Sequence, residues 1–393
     1  MNKVKPQNPH HYAVIVGITQ YPGGFRELAG PVNDVNAFYD WLTDPKLGGV
    51  PERNIKKVIT PTSTRRMTVT NARPTKTTVD RALWEVTQQA RNTLSHLPEE
   101  EQAEARSLMR LYLYVAGHGI MPSAGETALL TAEARTGWLE NVELSAYNNW
   151  FVRDGTFGEV CIFADCCRTY QQYATPGAPP FDLPAELGGS VFSLIGYATA
   201  PGKLAFEDDD EAIPPDNRRG YFSRALIDGL RGNAMDSTVG YVTSSTLTNY
   251  VRLRVPVLSN GLPDYQRQTV RIHADQHLVL RFGPEPARAG NGSAASKTAP
   301  RQPGSSSEAR AAPSQNGPRH KVVIRFPEDF TDSVELVMPD TRRLSWESAD
   351  GPWTVRLDEG LYVVCRAGTD LDGTGLANEG VFEVREGDLD VQF

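Results

Sequence analysis

Three unbroken apolar runs constrain this chain more than any other feature: Tyr12–Ile18 (YAVIVGI), Leu111–Ala116 (LYLYVA) and Val160–Ala164 (VCIFA). A strand with one wet face alternates apolar and polar residues, so a continuous apolar run of this length is expected to be covered on both faces. Ile55–Ile59 and Ser193–Ala198 read as further strands, and Val270–Ile272 and Leu278–Leu280 as late edge strands. Between them lie segments with helical spacing. Asn33–Leu42 puts Val35, Phe38 and Leu42 on one side with an Asn or Asp available as its cap, and Thr78–Leu94, Val142–Phe151, Tyr221–Leu230 and Thr246–Arg254 follow. This rhythm predicts an α/β domain, a mostly parallel sheet flanked by helices, over residues 1–282.

The pattern stops at residue 283. Of the 37 residues 283–319, 25 are Gly, Pro, Ala or Ser, too few apolar groups to offset the entropy of ordering them, so 283–320 reads as a flexible linker. Beyond it, Val322–Phe326, Ser333–Met338, Trp353–Leu357, Leu361–Arg366 and Val381–Val384 are short strands separated by turn signals. They predict a small all-β sandwich over 321–393. The formal charge of −8 is unevenly placed: −2 over residues 1–282, +3 over the linker and −9 over the last 73 residues. The acidity therefore belongs to the β module, and the balance argues against a nucleic-acid binder. No apolar run approaches the roughly 20 residues of a membrane span, and the N-terminus lacks the pattern of a signal peptide. With four cysteines, too few for a disulfide framework, a cytoplasmic location is the expectation.

In a sheet of this kind the reactive loops lie beyond the carboxyl ends of the strands. LYLYVA is followed by Gly117-His118-Gly119, and VCIFA by Asp165-Cys166-Cys167-Arg168. The 49 residues from His118 to Cys167 leave room for one crossover between neighbouring parallel strands. A thiol and an imidazole that meet at adjacent strand tips are the parts of thiol nucleophilic catalysis: the ring takes the proton and the sulfur attacks a carbonyl. The glycines beside His118 allow close approach of a substrate, so the Gly119 amide and that of Cys167 are candidate donors to a developing oxyanion.

These residues carry a family resemblance. YAVIVGI with LAGPVNDVNAFYDWL, then YVAGHG, FADCCR, and YATAPGKLAFE followed by RGYFSRALIDGL resemble the caspase-like cysteine proteases, a group that includes caspases, metacaspases and their bacterial relatives. The separation of about 50 residues between histidine and cysteine is a known signature of caspases. The resemblance implies His118 as the catalytic histidine and Cys167 as the nucleophile, with Cys166 as the variable residue before it; Cys166 is the alternative nucleophile. It also implies a primary specificity pocket around Asp165, where caspases carry Gln, and Asp34. Two carboxylates there favour a substrate Arg or Lys and repel an acidic residue. Many metacaspases bind calcium through an acidic cluster, but residues 126–152 hold only the scattered Glu133, Glu140 and Glu143, so no cofactor or metal is expected. Family members are commonly zymogens switched on by an upstream protease or activator protein, and bacterial ones serve in self-destruct or antiviral circuits. The implied partners are protein substrates, with no nucleic acid and no membrane.

The plainer readings stand beside these. Cys161 and Cys365 read as packed core thiols, and His10-His11 as an exposed leader. The acidic run Glu207–Glu211 reads as a solvated loop, or as the lip of the substrate site. Arg288, Lys297, Arg301, Arg310 and Arg319 in the linker are candidate self-cleavage sites. Two other functional readings compete with a protease specific for basic residues: a non-catalytic scaffold on a degenerate caspase-like fold, and a caspase-like protease that prefers acidic residues.

Overall fold

The computed structural model describes residues 8–61, 67–123, 126–171, 173–182, 191–208, 213–235, 240–259, 268–274 and 279–281, and then strand segments between 320 and 392. Residues 282–319 lie outside the described residues, and with them the linker and its basic residues; the linker's expected last residue, His320, opens a strand.

The chain begins β1 (His11–Gly17), α1 (Gly30–Thr43), β2 (Ile55–Ile59), α2 (Lys76–Ser95), α3 (Glu99–Ser107) and β3 (Arg110–Ala116). It continues β4 (Gly119–Met121), β5 (Ala128–Leu130), β6 (Asn141–Glu143), α4 (Leu144–Asp154), β7 (Glu159–Asp165), β8 (Thr169–Tyr170) and β9 (Phe192–Tyr197). Then come α5 (Tyr221–Asp228), β10 (Val242–Thr243), α6 (Ser244–Leu258), β11 (Arg271–Ala274) and β12 (Val279–Arg281). The main sheet has the order β11-β9-β7-β3-β1-β2, parallel except for the antiparallel edge strand β11.

Every residue of β1 and β3 is buried, as their unbroken apolar runs require. The two faces feed separate cores. Helices α2 and α4 cover one through Val79, Leu83, Val86, Tyr147 and Phe151. Helices α1, α5 and α6 cover the other, where Phe38 stacks on Tyr114 at 4.7 Å between ring centroids.

The start of α1 differs from the sequence expectation. No Asn or Asp caps it: Ala29 is the N-cap and makes no side-chain cap, and the amides of Ala29 and Gly30 donate to the carboxylate of Glu207, 178 residues away, at 3.0 and 2.7 Å. A helix end needs its amides satisfied, and a tertiary carboxylate does that as well as a local one. The short sheet β6-β5-β4-β8 and helix α3 also escaped the periodicity, because elements of two or three residues, or with no buried side, carry no hydrophobic period.

The C-terminal strands are β13 (His320–Arg325), β14 (Val334–Val337), β15 (Arg343–Trp346), β16 (Trp353–Leu357), β17 (Gly360–Arg366), β18 (Gly380–Val384) and β19 (Leu389–Gln392). They form two sheets, β16-β13-β19 and β15-β14-β17-β18. One buried cluster draws on both: Val322, Ile324, Trp353 and Leu357 from the first, and Val334, Leu336, Trp346 and Val364 from the second. The tryptophans Trp346 and Trp353 stack across it at 6.2 Å.

Candidate active site

Strand register brings the histidine and the cysteine together. On β3 and β7 Ala116 pairs with Asp165, and on β4 and β8 Ile120 pairs with Thr169. The offset is 49 residues in both ladders, so His118 stands opposite Cys167 between them. Neighbouring strands run about 4.8 Å apart, so the backbones of the two residues lie on adjacent strand tips. The contact between these two turns is tight. A side chain on Gly119 would come within 2.4 Å of the Cys167 carbonyl oxygen and 2.6 Å of the Cys166 sulfur, so glycine at 119 has a packing reason apart from any part in holding an oxyanion.

The imidazole is held on three sides. Its Nε2 lies 2.7 Å from the carbonyl oxygen of Arg26, which can only accept, so in the neutral ring Nε2 carries the hydrogen and Nδ1 is left as the base. Tyr21 packs against the ring at 4.7 Å, and its hydroxyl accepts the backbone N–H of His118 at 2.8 Å while donating to the Leu130 carbonyl at 3.3 Å. Phe25 covers a further side at 5.8 Å. Gly117 is the residue that lets Tyr21 in, since a Cβ there would sit 2.5 Å from the phenol oxygen.

Cys167 is partly exposed, whereas Cys166 is 2% exposed and packs in the core under α2 and α4. The Ala205 amide donates to the Cys167 sulfur at 3.4 Å, and the thiol in turn reaches the Ala205 carbonyl at 3.6 Å. Burial pushes the Cys167 thiol up, partly offset by the Ala205 backbone. Burial pulls His118 down, while the Arg26 carbonyl and the charge of Glu207 push it back up. Both shifts favour the uncharged forms of the thiol and of the imidazole. The loop that carries the thiol is anchored by buried Arg168, whose Nε donates to the Thr127 hydroxyl at 2.8 Å and whose guanidinium lies over Tyr197 at 4.3 Å.

Asp34 and Asp165, on different elements, converge around Gly220. The Gly220 amide donates to Asp34 at 2.9 Å, and a Cβ on Gly220 would be 2.1 Å from Asp165 Oδ2. Asp165 also accepts the amide of Ser223 at 3.0 Å at the start of α5. A third carboxylate joins them: Glu207 Oε2 and Asp34 Oδ2 would lie 2.8 and 3.3 Å from a Cβ on Gly30. An internal cation reaches this cluster: Arg219, whose Nε donates to Asp34 Oδ1 at 2.7 Å. Burial pushes the Asp34 carboxyl up against the pull of Arg219. Burial pushes Asp165 up to about 6, offset by Ser223 and reinforced by Glu207.

Glu207 and Asp208 are thus built into the structure, Asp208 through an ion pair with Arg224 at 2.8 Å, while residues 209–211 of the acidic run lie outside the described residues. Sequence reasoning did not single out Tyr21 or Arg219, and it named Glu207 only as the first residue of an acidic run that read as a solvated loop or a lip. The available signal was the position of Glu207, ten residues past the end of β9. Among the described residues, no group of three or more His, Cys, Asp or Glu could hold a metal ion, and no helix is long and apolar enough to cross a membrane.

The model of the caspase domain, that of peptidase C14, matches residues 10–271, about two thirds of the chain. The chain belongs to the caspase-domain family. Among curated proteins, this caspase-domain chain is 28% identical over 229 residues to a "Probable protease" of a Desulfuromonadales bacterium. The match takes in 56% of this chain but 26% of that one, so the chain spans about a quarter of the curated relative it matches. Among solved structures, Caspase-1 from Spodoptera frugiperda aligns at a TM-score of 0.40 with 14% identity, over 72% of this chain and 96% of that one. A protein from Geobacter sulfurreducens aligns at a TM-score of 0.37 with 12% identity, over 71% and 96%.

Proposed function

We propose that this caspase-domain protein is a cysteine endopeptidase in which His118 and Cys167 act as the catalytic pair and cleavage follows Arg or Lys. The observation that carries the reading is the shared register that sets an imidazole, its Nδ1 free to take a proton, opposite a partly exposed thiol. Its consequence is acyl transfer. Nδ1 accepts the thiol proton as sulfur attacks the scissile carbonyl, the imidazolium returns that proton to the departing amine, and water then releases the acyl group from sulfur. The Gly119 and Cys167 amides are the proposed donors to the oxyanion.

The basic preference rests on three converging carboxyl groups, Asp34, Asp165 and Glu207, with Arg219 the cation that pairs with one of them among the described residues. Negative charge in excess there draws in a substrate cation and repels a carboxylate. Fluorogenic peptides that differ only in the residue before the scissile bond test this. Arg and Lys peptides are expected to turn over at least about tenfold faster than their Asp counterpart, a difference worth about 1.4 kcal/mol; faster turnover of the Asp peptide would overturn the assignment.

Regulation as a zymogen in a bacterial defence or cell-death pathway is the biological setting we infer, on the strength of family membership. Basic specificity limits how such a zymogen can cut itself. No Lys or Arg lies between Arg168 and Lys203, and Arg168 is itself buried, so the segment joining β7 to β9 offers no exposed basic residue to cut after.

Tyr21 is a positioning residue for His118 in this scheme. Tyr21→Phe keeps the ring against the imidazole but leaves a partly buried N–H without its acceptor, a loss on the order of 1–3 kcal/mol. The expected result is a kcat about tenfold lower at an unchanged KM. A change confined to KM would place Tyr21 in substrate binding instead.

A further inference from the structure

The two strands that leave the catalytic pair run side by side away from it: β4 from His118 and β8 from Cys167, in parallel, with the Gln171 amide donating to the Met121 carbonyl at 2.9 Å. They end at a groove of about 600 Å³ whose walls include Trp138, Leu139, Gln171, Tyr173 and Pro176. One wall is a closed hairpin. Arg135 and Trp138 exchange both backbone hydrogen bonds, at 2.9 and 2.8 Å, around Gly137, whose φ of +79° suits the turn. The hairpin presents Trp138 57% exposed, with Arg135 over its face at 5.5 Å and its indole N–H bonded to Glu140 at 3.0 Å.

The opposite wall is stitched down. Asn141 donates to the Thr175 carbonyl at 2.9 Å and accepts the Gly177 amide at 2.9 Å. Further on, Phe181 is clamped between Trp84 and Trp150. On this wall Tyr173 stands 92% exposed. Two large aromatic rings exposed at the rims of one groove offer apolar surface to an apolar side chain, and Trp138 is held in place by Arg135 and Glu140.

Position decides the occupant. The acidic cluster belongs to the α1 and α5 side of the sheet, where Ala205 and Phe206 pack, whereas Leu139 and Ala174 of the groove pack on the α2 and α4 side. The catalytic pair lies between, at the tips of β3 and β7. A peptide with its basic residue in the acidic cluster and its scissile bond at Cys167 must therefore leave over β8. Three or four extended residues span roughly 10–13 Å, the reach from Cys167 along β8 to the groove.

We propose that this groove is a second specificity site, binding an aromatic or aliphatic side chain three or four residues beyond the scissile bond on the leaving-group side. The proposal rests on the peptidase reading above and names a further feature of its substrates: a basic residue before the cut and an apolar one a short distance after it.

Two substrates with the same residues before the cut test it. One ends in a fluorophore directly after the basic residue; the other is internally quenched and continues for five residues with Phe at the fourth. Trp138→Ala and Tyr173→Ala are expected to lower kcat/KM for the extended peptide about tenfold and to leave the truncated one unchanged. Replacing that Phe by Gly in the extended peptide should reproduce the loss with the wild type. Tyr173 is almost wholly exposed, so its variant reads the groove without disturbing the fold. Equal sensitivity of both substrates, or none in either, overturns this proposal while leaving the peptidase standing. Absence of turnover of both by the wild type overturns the peptidase reading and the proposal with it.

Discussion

Cys167→Ala is expected to abolish peptide hydrolysis, lowering turnover by at least about 10⁴-fold, while Cys166→Ala keeps it within a few-fold. The first figure follows from what removing a nucleophile costs in enzymes that form an acyl intermediate. The contrast follows from environment. Cys167 is partly exposed and receives the Ala205 amide, so its sulfur is open on one side and supported by a donor on another. Cys166 is buried among apolar groups, which push its thiol far above the ordinary range, with the neighbouring Cys167 and Asp165 adding to the push. A thiol so placed neither ionises nor meets a substrate, and truncating it costs a small cavity, on the order of 1 kcal/mol of stability. The mass of an adduct with an Arg-directed covalent inhibitor checks the assignment independently of rate. Labelling that survives in Cys167→Ala and disappears in Cys166→Ala would exchange the two roles.

Asp165→Asn is expected to cost about 100-fold in kcat/KM on Arg peptides, and to remove the part of the acid-side decline in wild-type activity that follows Asp165, leaving the part set by protonation of His118. Burial raises this carboxyl to about 6, so as the pH falls through that value it takes up a proton and stops attracting the substrate cation. Stability moves the other way. A carboxyl whose folded value lies above the unfolded one favours folding most at low pH, and that contribution is lost as the pH rises from about 4 through about 6. Above pH 6 the ionised, buried Asp165 is therefore a cost to the fold that Asn does not bear, while the Asn carbonyl can still accept from Ser223. The variant should melt no lower than wild type at pH 7 while losing its preference for Arg. A parallel fall in melting temperature and activity would show that Asp165 acts through the fold instead of through the substrate.

Much of the candidate site was legible in the residues because its proposed catalytic pair sits at strand tips. LYLYVA and VCIFA could only be strands covered on both faces, and the residues after them, His118 and Cys167, had to emerge at the same edge of a parallel sheet. What stayed out of reach was long-range. The sequence placed the α1 cap within α1, yet Glu207 supplies it from far along the chain. The acidic run read as a solvated loop or a lip, and its first two residues proved to be partners of α1 and α5, Glu207 partly buried and Asp208 buried. Tyr21 lies in a segment with no period at all, and its part in holding His118 depends on a turn about 97 residues later.

The sequence by itself determined the α/β rhythm, the strand identities and the order in which a histidine and a cysteine reach the edge of the sheet, because burial on two faces leaves a local, periodic record in the chain. Only the tertiary structure decided which cysteine is reachable, that three carboxylates meet around Gly30 and Gly220 with Arg219 among them, and that a groove with exposed aromatic rims opens at the end of β8. Those outcomes depend on contacts between residues tens to hundreds of positions apart, and such contacts are set by the geometry of packed layers, which no local pattern of residues encodes.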